Sequence, residues 1–189
     1  IDSDKIVWVG YWGTPMIGFD IEKGAQYQIP IDTIDDKLNV VTSICGDDSG
    51  SLWLGTYGHG LIHVKNPTSK NPTLTYYEHH PGKNSISQNE VLCIENDRMG
   101  NIWVGTSGGG LNRFDIKTRM FEVFNVNNGL KSNLIEGITR DLKGNVWFSS
   151  TVLSKYDNNT KTFTHYTTSD GIQKGSFNME SCCLAPDGQ

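Results

Sequence analysis

Four glycines, Gly105, Gly108, Gly109 and Gly110, fall within six positions directly after the apolar run "NIWV". A glycine-rich turn behind a strand can cradle a phosphate with its backbone N–H groups when a helix begins immediately after it. Here "LNRFD" follows, alternating apolar and polar residues as a second strand does, so no helix N-terminus faces the turn and the phosphate reading fails. The same loop in an earlier stretch reads "TYGHG", which puts the ring of Tyr57 and the imidazole of His59 where Ser107 and Gly109 stand. Paired with Glu90, His59 could serve acid–base chemistry, yet no nucleophile accompanies the two, and the loops are short of carboxylates for a metal. Four cysteines remain. Counting back from the turn glycines sets Cys93 level with Ser43 and Ser181, and Cys45 level with Glu95 and Cys183. They therefore belong to different strands, while the adjacent Cys182 and Cys183 point to opposite faces of one, and free thiols are expected. No CxxC or Cys/His spacing supports zinc, so neither metal nor cofactor is expected.

What positions these loops is a repeat. "DSGSLWLGTYGHGLIHV", "RMGNIWVGTSGGGLNRF" and "LKGNVWFSSTVLSKY" bring Trp53, Trp103 and Trp147 into register, each three residues after Gly50, Gly100 or Gly144. "KIVWVGYWGTPMIGFD" aligns Trp8 as well, and "APDGQ" at the other end holds a further turn glycine. The tryptophans step by 45, 50 and 44 residues, the spacing of propeller blades. One period reads as four strands and no helix, at 90–97, 101–106, 111–115 and 120–125. "RMGN" and "LKGN" supply tight hairpin turns, and "DIKTRM" and "DNNTKT" each open on an Asp able to bond its own backbone. The glycines then serve loop geometry, and Trp8, Trp53, Trp103 and Trp147 fill the gaps between sheets. The fold class is all-β: a β-propeller of four-stranded antiparallel blades. The divisions expected are 1–37 (a blade lacking its first strand), 38–86, 87–131, 132–176, and 177–189 as the first strand of another blade.

Composition narrows the function classes. Of 189 residues 36% are hydrophobic, 20% charged and 10% aromatic, as in a globular domain with a core. The formal net charge of -5 and scattered basic residues argue against nucleic acid and anionic membrane as partners. No run of eighteen apolar residues offers a membrane span.

The repeat G-N-[ILV]-W-[VF]-G-T-x-G-G-G-L-N-R-[FY]-D, fullest at Gly100 to Asp115, resembles the two-component regulator propeller repeat. The resemblance covers nearly the whole chain and weakens in the last copy, where "FSSTVLSKYD" has lost its glycines and shortened its loop by two residues. It implies the periplasmic sensor region of a hybrid histidine kinase that detects polysaccharide fragments. It also implies a ring of seven blades, of which this chain supplies an arc of about four. The alternative is a closed four-bladed ring in which the last strand pairs with residues 5 to 10. Further blades and a membrane-anchored kinase region of the same protein are the partners implied, with a homodimer possible, and the segment itself is expected to be non-catalytic.

In a propeller the loops after the second strand share one rim with the connections between blades. The ligand-contact candidates on that rim are Trp12, Tyr57, His59 and Ser107 from the loops, and Asn89, Glu90, Lys131, Asn133 and Glu136 from the connections. A flat exposed aromatic suits the C–H face of a sugar, with polar neighbours for its hydroxyls. Two other classes stay open: a propeller lyase or hydrolase using the His59 and Glu90 rim, and a scaffold that binds protein or self-associates.

Overall fold

The computed structural model describes residues 5–10, 15–31, 40–175, 177–178 and 182. The first sheet has three strands, β1 (Ile6–Val9), β2 (Met16–Asp20) and β3 (Gln26–Ile29). The second has four: β4 (Val41–Gly46), β5 (Leu52–Thr56), β6 (Leu61–Lys65) and β7 (Thr73–Tyr77). The third runs β8 (Val91–Asn96), β9 (Asn101–Thr106), β10 (Leu111–Asp115) and β11 (Met120–Phe124). The fourth runs β12 (Gly137–Arg140), β13 (Val146–Ser149), β14 (Leu153–Asp157) and β15 (Thr162–Tyr166). Every pairing is antiparallel between neighbours in sequence, and the sheets do not close into a ring among the described residues. The helix described is one 3-10 turn, Thr168–Asp170. The strands expected in the third period thus form within a residue or two of their expected ends.

Sheets stack face to face through three apolar clusters. Met16 and Ile29 meet Leu52, Leu54, Ile62 and Val64 between the first and second sheets. Trp53, Leu61 and Ile86 meet Ile102, Val104 and Phe114 between the second and third. Trp103, Leu111 and Phe124 meet Val146, Phe148 and Tyr156 between the third and fourth. Trp53 and Trp103 are 1% and 0% exposed, as core packing requires. Trp8 and Trp147 are half-buried, Trp147 on the face of the last sheet that no described sheet covers.

The inner strands are stitched together from blade to blade. The Thr42 hydroxyl donates to the Val91 carbonyl at 2.8 Å, the Ile94 N–H donates to Ser43 Oγ at 3.1 Å, and the Asn96 amide donates to the Gly46 carbonyl at 2.9 Å. Such close approach explains a glycine that reads in sequence as part of the loop. Gly105 lies inside β9, where a Cβ would fall 2.7 Å from Ile135 Cγ2 and collide with Cys93 Sγ, and a Cβ on Gly55 would fall 2.7 Å from Val91 Cγ1. The fourth sheet solves the same crowding in reverse: its second strand carries Ser149, and the opposing residue on the first strand is Gly137. Of the segment expected to open a further blade, Cys182 is described, and its thiol donates to the Ile138 carbonyl at 3.2 Å, as Cys93 does to Ile135 at 3.5 Å. Among the described residues no disulfide joins Cys45, Cys93 and Cys182 to one another.

Candidate functional site

The loop after the second strand is built by one device in both complete copies. The Thr56 hydroxyl donates to the Gly60 carbonyl at 2.9 Å and accepts the His59 N–H at 3.0 Å; Thr106 does the same with Gly110 and Gly109 at 2.8 and 3.1 Å. Gly60, Gly108 and Gly110 have φ of +65°, +122° and +89°, the left-handed region that favours glycine. Gly109 has an ordinary φ and is small for another reason: a Cβ there would collide with the Ser87 hydroxyl of the preceding connection.

Loops and connections meet on one rim, as the hydrogen bonds require. Tyr57 bridges to Glu90, and Ser107 bridges to Leu134. The Ser107 N–H also donates to the Glu90 carbonyl at 2.9 Å. Tyr57, Glu90, Ser107 and Leu134 therefore form a continuous row, with Tyr57 45% and Leu134 37% exposed. Leu134 escaped the sequence reading because nothing in "KSNLIE" distinguishes an exposed leucine from a core one.

The other candidates fall elsewhere. Asn89 and Asn133 are turn residues: Asn89 Oδ1 accepts the His79 N–H at 2.6 Å, and Asn133 Oδ1 accepts the Val126 N–H at 2.9 Å. Their carbonyls take the N–H groups of Gly60 and of Gly108 and Gly110. His59 turns inward, 3% exposed, its Nδ1 3.4 Å from Glu78 Oε1 and its ring edge-on to Tyr76. Its Nε2 is buried without a hydrogen-bond partner. Lys131 is exposed. Glu136 is half-buried with Oε2 unpartnered, and its N–H donates to the Ser149 carbonyl at 3.0 Å. Trp12 lies outside the described residues.

A second constellation, at the opposite ends of the strands, was missed in the sequence although its signal is plain: an Asp six residues before each of three tryptophans. Asp47, Asp97 and Asp141 accept the indole N–H of Trp53, Trp103 and Trp147 at 2.9, 3.1 and 3.1 Å. The other oxygen of each accepts two backbone N–H groups of its hairpin turn, as Asp97 does from Met99 at 2.7 Å and Asn101 at 3.0 Å. Burial pushes the Asp47 carboxyl up, but the Ser49 hydroxyl, the Trp53 indole and the turn amides outweigh it and hold the group below the usual carboxylate range. Asp141 follows the same balance, with Asn145 and Trp147 as the donors. Turn glycines Gly50, Gly100 and Gly144, at φ of +76°, +97° and +80°, complete these turns. Beside the first of them lies a cavity of about 780 Å³, lined by Trp8, Cys45, Asp47, Asp48, Asn66 and Arg98 among others. It opens on the rim opposite Tyr57.

Four-stranded antiparallel sheets stacked face to face, with their first strands side by side, define an arc of a β-propeller. Residues 36–58 and 85–108, in the second and third of the four repeats, match the two component regulator propeller family. The chain is 30% identical over 187 residues to Histidine kinase P4 of Formosa agariphila, covering 95% of this chain and 13% of that protein. It superposes with a TM-score of 0.79, at 27% identity, on the extracellular domain ascribed to the hybrid two component system BT3049 of B. thetaiotaomicron, over 100% of this chain and 25% of that one. U3-55K, at TM-score 0.67 and 10% identity over 93% of this chain and 51% of that one, shares the fold alone. The chain thus spans a quarter or less of the two regulatory proteins it resembles. No helix among the described residues is long and apolar enough to cross a membrane.

Proposed function

We propose that this chain is a ligand-sensing propeller segment on the extracytoplasmic, periplasmic side of a hybrid two-component system. In this reading it binds oligosaccharide or polysaccharide fragments and biases a membrane-anchored histidine kinase region of the same protein, and so transcription. The repeat family and the likeness to an extracellular two-component domain support the sensor role. The observation that carries the ligand reading is the row Tyr57, Glu90, Ser107, Leu134, where a half-exposed ring stands beside a carboxylate and a hydroxyl on the rim of the sheets. A flat aromatic face packs against sugar C–H groups while such neighbours accept and donate to hydroxyls. Binding rather than turnover fits the same rim, because the His59 imidazole that an acid–base reaction would use is buried against Glu78.

Signalling then needs only differential affinity: a ligand that binds one arrangement of the propeller more tightly than another shifts the population by that difference. Calorimetric titration of the chain with a panel of oligosaccharides tests the reading. A binding saccharide whose affinity drops about tenfold, about 1.4 kcal/mol, in Tyr57→Ala is the expected result. Absence of heat from every saccharide removes the ligand class, and wild-type affinity in Tyr57→Ala removes the rim.

A further inference from the structure

In the second, third and fourth sheets the residue opposite the tryptophan on the third strand is able to carry positive charge. Arg113 faces Trp103 and Lys155 faces Trp147, with the cation 6.0 and 5.9 Å from the ring centroid. In the second sheet the place is taken by His63, opposite Trp53. Its imidazole stacks on the indole at 4.1 Å with an interplanar angle of 9°, and its Nε2 lies 3.8 Å from Asp47 Oδ2, the oxygen that also accepts the Trp53 N–H. That Nε2 is buried and makes no hydrogen bond.

The three positions differ in access to water. The Arg113 side chain is 25% exposed and pairs with Glu122 at 2.6 Å, so its charge is met at the surface. The His63 side chain is 10% exposed, and a short imidazole cannot reach past the sheet as Arg or Lys can. We propose that His63 and Asp47 form an acid-sensitive latch on the hairpin turn of the second sheet, open while His63 is neutral and engaged when His63 takes a proton. Protonation places an imidazolium against the anchor carboxylate of the turn that lines the cavity, and Asp47 Oδ2 must then serve His63 as well as Trp53. The charged groups facing His63 are Asp47, which favours the proton, and Lys65 on its own strand and Arg119 on the third sheet, which oppose it. Beyond the Trp53 indole stands the Tyr77 phenol.

Burial, the largest influence, together with Lys65 and Arg119 outweighs Asp47 and holds the imidazole below the ordinary histidine value. A group depressed on folding binds protons more readily in the unfolded chain. Its contribution to stability is therefore whole above pH about 6.5 and is lost as the pH falls through its folded value. One proton sets the limit: the folding equilibrium constant falls by up to tenfold per pH unit in that window.

The test follows the folding equilibrium of this chain between pH 7.5 and 4.5 by denaturant unfolding, for wild type, His63→Gln and His59→Gln. His63→Gln is expected to reduce the slope of log K against pH by up to one proton, while His59→Gln keeps the part that His63 contributes. A wild-type slope in His63→Gln overturns the proposal. Should His63→Gln fail to fold, NMR titration of the wild type decides: the His63 ring and Trp53 indole N–H resonances moving through one shared midpoint support the latch. A Trp53 indole that stays still while His63 titrates, or a His63 that takes no proton down to pH 4.5, contradicts it.

Discussion

The smallest unit that holds each complete blade is the Asp–Trp pair of the hairpin turn. Removing Asp97 leaves the buried Trp103 N–H unpaired and frees the amides of Met99 and Asn101, so Asp97→Ala is predicted to cost about 3 kcal/mol in denaturant unfolding. The acid limb of stability follows from the same residues. Asp47 and Asp141 have depressed carboxyls, so the unfolded chain binds their protons first. The stability they supply is intact above pH about 4 and disappears as the pH falls through their folded values. Thermal unfolding midpoints of Asp47→Asn should fall less steeply below pH 4 than those of wild type. Trp53 and Trp103 were legible as sheet-gap fillers, because a large ring at a fixed period between aliphatic neighbours has few other uses. Their anchors were not read, since attention fell on the turn glycine three residues before each ring, and the carboxylate sits three further back.

At the scale of the element, hairpin chemistry carries most of what the sequence tells. The strand limits of the third sheet follow from "RMGN" and "DIKTRM" because both turns demand particular residues at particular places. The second turn type also exposes a weakness. Gly24, Arg119 and Lys161 each stand four residues after the Asp that opens their turn, and all three have positive φ, of +64°, +58° and +58°. A residue with a Cβ is strained there, so Lys161→Gly is predicted to raise stability by up to about 1 kcal/mol, read as a shift in the denaturation midpoint. Packing between elements was less legible. Gly105 looks like one more loop glycine in "GTSGGG", yet it is a strand residue made small by Cys93 and Ile135. Gly105→Ser should destabilise by about 1–3 kcal/mol through overpacking. Adding Cys93→Gly, which copies the Gly137 and Ser149 arrangement, should recover part of that loss.

For the whole molecule, the uncovered ends matter most. Val9 and Phe19 on the first sheet are 39% and 47% exposed, whereas the residues in the same places of the third sheet, Val104 and Phe114, are 0% and 1% exposed beneath the Trp-bearing face of their neighbour. In the third sheet the same face is covered by the neighbouring blade. Alone, the chain should bind a hydrophobic dye and self-associate through the exposed face of the first sheet, and Val9→Thr with Phe19→Thr should lower the sedimentation-derived mass without unfolding the sheets. The propeller class could be read from the period. The rim site could be read only in part, because sequence gives the side chains of a loop and not their direction: His59 points into the core, Asn89 and Asn133 are spent on the backbone, and Leu134 joins the row unannounced. The measurement that tests that row most directly is a map of backbone amide shifts on adding a binding oligosaccharide. Perturbations centred on Tyr57, Glu90, Ser107 and Leu134 are predicted; perturbations centred instead on the turns of Asp47 and Arg98, around the cavity of the opposite rim, would contradict it.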